Sequence, residues 1–137
     1  MNRADLQKLS NLRIKEAHTL FSAGEYSGAY YLAGYAVECA LKACIAKGVQ
    51  RYDFPNKQLT KDSYSHDLAS LLKLADPNSG LTTAKETNSR LVSSWNLAKS
   101  WTEQSRYSVW TKNEAEAIID AITRRKDGVL PWIKQRW

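Results

Sequence analysis

From Tyr26 to Gly48 the chain reads YSGAYYLAGYAVECALKACIAKG. Apolar or small residues return at Tyr30, Ala33, Gly34, Val37, Leu41, Cys44 and Ile45, in the steps of three and four that mark one buried face of a helix. A helix is predicted over Tyr26–Lys47, with Gly48 ending it. Before it, Leu6, Leu9, Ala17, Leu20 and Phe21 form a second stripe, which predicts a helix from Asp5 to Ser22 stopped by Gly24. After it, VQRYDFPNKQLTKDSYS is polar and aromatic with one proline, and reads as a long loop.

Three further helices follow. Ser65 can cap HDLASLLKLA, whose stripe is Leu68, Leu71, Leu72 and Ala75. DPNSG then breaks the chain. Thr83 with Glu86 has the form of a capping box, predicting a fourth helix to about Gln104 with Leu91, Trp95 and Ala98 inward. Thr111 with Glu114 makes a second box, followed by the stripe Ala115, Ile118, Ile119 and Ile122. Gly128 breaks this helix, and a short one is predicted to restart at Pro131. No alternating strand pattern, internal repeat or linker is visible. The expected fold is one all-α domain over residues 1–137, an up-and-down antiparallel bundle of about five helices with the second at its centre.

The composition is ordinary for a globular protein, at 43% hydrophobic and 25% charged residues. No apolar run reaches membrane-spanning length. MNRADLQKL is charged and lacks a signal-peptide apolar region, and Cys39 and Cys44 fall on different helix faces, so a reducing cytoplasm is expected. With so few sulfur ligands no metal site is expected, and no cofactor motif is present. The net charge is +6, from 20 Lys and Arg against 14 Asp and Glu. That balance is either a solubility surplus or a match for anionic partners. The cations gather at Thr123–Lys126, Lys134 and Arg136.

Four stretches could carry chemistry. Tyr31, Tyr35, Glu38 and Lys42 follow a 4-3-4 spacing beside the apolar stripe. They are either a helix flank with wet hydroxyls or one wall of a polar cleft, in which Glu38 and Lys42 should pair. His66, beside Asp67 in SHDLASLL, is a candidate base or a surface histidine. Trp95, Trp101, Trp110 and Tyr107 surround Arg106 in sequence, and either stack on bases or pack the core. Arg13 and His18 lie about 140° apart around the first helix and carry little signal alone.

Taken together, LFSAGEYSGAYYLAGYAVECALKACIAKG, SHDLASLL and SRYS resemble the HEPN family (higher eukaryotes and prokaryotes nucleotide-binding). The matching features are the Tyr-rich helix ending in Glu38-x-x-x-Lys42, the start His66-Asp67-Leu68 and the pair Arg106-Tyr107. The resemblance runs from about Asp5 to Arg125. It implies a helical bundle, often dimeric, acting as a ribonuclease, a toxin of a toxin–antitoxin pair, or a non-catalytic partner of a small nucleotidyltransferase. Ribonuclease members carry an Arg and a His a few residues apart on a late helix. Here Thr111–Trp137 contains no histidine, and the one Arg-x4-His match is Arg13–His18 on the first helix. That role is therefore not carried over.

The expectation is a non-catalytic homodimeric module that binds a nucleotide, RNA or a protein partner (a nucleotidyltransferase or an antitoxin). Its candidate residues are Tyr31, Tyr35, Glu38, Lys42, His66, Arg106 and Tyr107. Two alternatives stand beside it. One is a metal-independent ribonuclease with His66 or His18 as base and Arg106 stabilising the phosphorane. The other is a structural dimer whose aromatics only pack.

Overall fold

The computed structural model describes all residues except 50–53, 55, 85 and 86. Seven α-helices and one 3₁₀ turn occupy the described residues, and no strand is among them. In chain order they are α1 (Arg3–Ser22), α2 (Tyr26–Gly48), α3 (Lys57–Asp62), α4 (Leu68–Ala75), α5 (Ser89–Ala98), the 3₁₀ turn (Glu103–Tyr107), α6 (Lys112–Thr123) and α7 (Val129–Lys134). No described helix is long and apolar enough to cross a membrane.

The order of burial follows the apolar stripes. α2 is the central element: α1, α4, α6, α7 and the 3₁₀ turn all pack on it. Ala29, Ala33, Ala36, Ala40 and Ala43 are buried along it, and these small side chains let several helices approach one backbone. α1 folds back on α2 through Gly24, whose φ of +83° suits a residue without Cβ. Ser10 ties this hairpin, its buried hydroxyl donating to the Ala36 carbonyl at 2.7 Å. Asn2 and Asp5 form a capping box at the start of α1.

Trp101 is the largest fully buried side chain, and its indole lies against α2 at Gly34. Trp110 stacks on Tyr30 with ring centroids 3.8 Å apart and planes 7° from parallel. Its indole donates to the Ser105 carbonyl at 3.1 Å, and its backbone N–H donates to Ser27 Oγ at 2.9 Å. These bonds fasten the segment around the 3₁₀ turn to the start of α2.

The box at Thr111 and Glu114 forms as the pattern implies, and Ala115, Ile118, Ile119 and Ile122 are buried. Other boundaries differ. The segment expected as one long loop contains α3, capped by Asn56, whose side chain accepts from the Leu59 N–H. α5 starts at Ser89 behind an Asn88 cap and ends at Ala98, well short of Gln104. Thr83 instead donates its hydroxyl to the Ser79 carbonyl within a turn, and Glu86 lies outside the described residues. Asp67 caps α4, not Ser65; the Ser65 hydroxyl accepts from the Asp67 N–H. His66 thus precedes the helix instead of lying in its first turn. α7 begins at Val129, ahead of Pro131.

Candidate functional site

The centre of the site is a carboxylate placed on the most buried helix. Glu38 stands on α2 with its side chain 4% exposed. One turn on, Lys42 reaches back and donates to Glu38 Oε1 at 3.0 Å. The same oxygen lies 2.9 Å from His66 Nδ1, across the gap to the start of α4. Glu38 therefore holds two cation-capable groups from two elements, as a buried carboxylate must to offset its lost hydration. Its second oxygen, Oε2, is buried and has no hydrogen-bond partner among the described residues.

His66 is the outward-facing part of this group, with a side chain 47% exposed. With Nδ1 carrying the proton toward Glu38, Nε2 points away from α2. There it lies 3.4 Å from Glu103 Oε2, at the start of the 3₁₀ turn. The imidazole lies between a buried and a half-exposed carboxylate, where α2, the start of α4 and the turn meet; with Nδ1 alone protonated it donates to Glu38 only, and Nε2 is an acceptor.

The turn also presents Arg106. Its guanidinium is exposed and lies 4.8 Å from the centre of the Tyr107 ring. Tyr107 first, and then Tyr31, raise the Arg106 pKa above its ordinary value. Tyr31 stacks on Trp101 at 5.8 Å and on Tyr35 at 6.1 Å. Tyr35 has its pKa raised, chiefly by burial and then by Cys39 and Glu38, while Arg13 acts to lower it. Arg13 is itself engaged with Glu16 at 2.7 Å.

Glu38, Lys42, His66 and Glu103 form one contacting set; Tyr31 and Tyr35 stand on the same helix as Glu38, and Arg106, with the Tyr107 ring against it, on the same turn as Glu103. The sequence reading passed over Glu103. Its one signal was proximity to SRYS, in a segment read as the end of a helix. The aromatic cluster resolves differently from its appearance in sequence. Trp95 and Trp101 are 2% and 1% exposed and belong to the core, whereas Tyr107 is 72% exposed. Only Tyr107 among these four is free to stack on a ligand. His18 is on the outer part of α1, away from this set.

Cys39 and Cys44 are free thiols. Burial raises both pKa values to about 11, so neither is set up as a nucleophile.

Comparison with protein-family models, with curated proteins and with solved structures finds no match for this chain.

Proposed function

We propose that this protein binds a phosphate-bearing nucleotide, free or within single-stranded RNA, at the rim formed by α2, the start of α4 and the 3₁₀ turn. The observation that carries this reading is the linkage of His66 to buried Glu38 beside an exposed Arg106–Tyr107 pair. Arg106 supplies a forked donor for phosphate. Tyr107 offers an exposed ring face for a base. Glu38 fixes the imidazole so that its outer edge faces the ligand without a large entropic loss. The exposure of His66, Arg106 and Tyr107 suits an extended strand more than a small molecule in a closed pocket. The net charge of +6 favours the encounter, and the HEPN resemblance points to the same ligand class. The test is fluorescence anisotropy with a labelled single-stranded RNA and with AMP as competitor. Binding that weakens in both Arg106→Ala and Tyr107→Ala supports the reading, and no binding by the parent protein ends it.

A second reading rests on the 2.9 Å separation of Glu38 Oε1 and His66 Nδ1. A carboxylate behind a half-exposed imidazole is the geometry of a positioned base. On the same turn as Glu103, Arg106 would complete a site for metal-independent RNA cleavage: His66 takes the ribose 2′-hydroxyl proton, the 2′-oxygen bonds to phosphorus, and the P–O5′ bond breaks with the 5′-oxygen protonated by water. Incubation with RNA in the presence of a chelator separates the two: cleavage abolished in His66→Asn favours the enzyme, and intact RNA favours the binder.

The resemblance also supports a two-fold homodimer, with a nucleotidyltransferase or antitoxin as the corresponding partner protein. Sedimentation at micromolar concentration tests the dimer, and a monomer alone would count against it.

A further inference from the structure

A second cluster of donors lies where α1, the end of α6 and α7 meet. Ile14, His18, Thr123, Leu130, Pro131 and Lys134 line a cavity of about 210 Å³ there. Three of these side chains are apolar and none is acidic; His18 and Lys134 can donate hydrogen bonds, while the Thr123 hydroxyl already donates to the Ile119 carbonyl at 2.7 Å. The volume is below the roughly 300 Å³ at which pockets for drug-sized ligands begin, and suits one compact group. Lys134 is half-buried, and among the described residues it forms no ion pair with a carboxylate. Among the described residues its ammonium has the Trp137 ring, 5.4 Å away, as its one partner. Burial lowers its pKa below the ordinary lysine value, the mark of an ammonium that has lost water without gaining a counter-charge. Arg124, Arg125 and Lys126 follow Thr123 directly in the chain, and Arg124 is the one among them paired with an acid, Asp120.

We propose that the cavity between α1, α6 and α7 is an anion site that takes a phosphate group, with Lys134 and His18 as its donors. A phosphate restores the counter-charge that the ammonium lacks. It accepts from Nζ and from the exposed His18 ring, beside the apolar walls of Ile14, Leu130 and Pro131. The group arrives either as the free anion or as a phosphodiester of a nucleic-acid strand running over the basic turn 124–126. This inference does not rest on the reading of the rim at His66 and Arg106.

The experiment follows the His18 and His66 ring resonances by NMR while the protein is titrated first with inorganic phosphate and then with a short single-stranded RNA. A saturable shift of His18 with phosphate alone assigns a free-anion site. A shift of His18 with RNA but not with phosphate assigns the phosphodiester. In either case Lys134→Met and Lys134→Gln weaken the effect by about tenfold or more, the loss expected for a charge-assisted bond. Arg106→Ala leaves the His18 response to inorganic phosphate unchanged, so a failure of the rim is distinguishable from a failure here. His18 resonances that move with neither probe, or that move equally in the parent and both Lys134 variants, overturn the proposal.

Discussion

Gly34 and Trp101 are in direct contact, with the indole lying where a Gly34 side chain would be. A Cβ at Gly34 would come within 2.3 Å of Trp101 Cδ1, Cγ and Nε1. The ring is 1% exposed and stacked against Tyr31, so it has little room to retreat. The same indole separates the core from the tyrosines of the rim, which makes Gly34 a determinant of both.

Gly34→Ala should therefore destabilise the protein by about 1–3 kcal/mol, the range for overpacking a filled core. Gly48→Ala is the matched control, because nothing among the described residues lies within 4 Å of its added Cβ. Urea unfolding should show a lower midpoint for the first and no loss for the second. Equal stability of the two variants would contradict the packing described.

The Glu38 group makes an ordered set of predictions. Glu38→Ala removes the carboxylate that Lys42 and His66 both meet, but leaves behind two side chains with access to solvent, and should cost about 1.5–3 kcal/mol. Lys42→Ala leaves the buried carboxylate without its cation and should cost more, about 3–5 kcal/mol. A double-mutant cycle between Lys42 and His66 should show coupling, since both meet the same carboxylate oxygen. Additive losses in chemical denaturation would mean that the two contacts are energetically separate.

The thiols predict a pH dependence. Folded Cys39 and Cys44 have pKa values raised to about 11 by burial, against 9.0 for an ordinary thiol. The folded state thus holds these protons more tightly than the unfolded state. The associated stability is fully present below pH 9 and is lost as pH rises through about 11. At pH 8 the two-unit difference leaves roughly 100-fold less thiolate in the folded protein. Alkylation by iodoacetamide should be slow in buffer and fast in urea, and equal rates would contradict the burial of Cys39 and the partial burial of Cys44.

Much of this architecture was legible because α2 and α6 carry long, uninterrupted apolar stripes. Glu38 and Lys42 were legible for the same reason: their register fixes them beside that stripe whatever packs against it. His66 could be singled out, but its contact with Glu38 spans 28 positions and depends on how α4 docks. No local pattern encodes that distance. α3 was missed because KQLTKD is polar and has no stripe, and its Asn56 cap sits next to a proline. The fourth helix was overextended because Thr83 and Glu86 have capping-box spacing, while Asn88 caps the helix that forms. Glu103 was missed because a 3₁₀ turn of five residues is too short to leave a periodic signal.

The proposed phosphate contact of Arg106 at the rim should show in the salt dependence of single-stranded RNA affinity, compared between the parent protein and Arg106→Ala. Arg106 is exposed, so the substitution leaves the fold intact and isolates the contact. Each phosphate contact with a single strand contributes a slope of about −0.7 in log affinity against log salt. Arg106→Ala should bind more weakly, with a slope shallower by about that amount. An affinity and slope identical to those of the parent would contradict the contact.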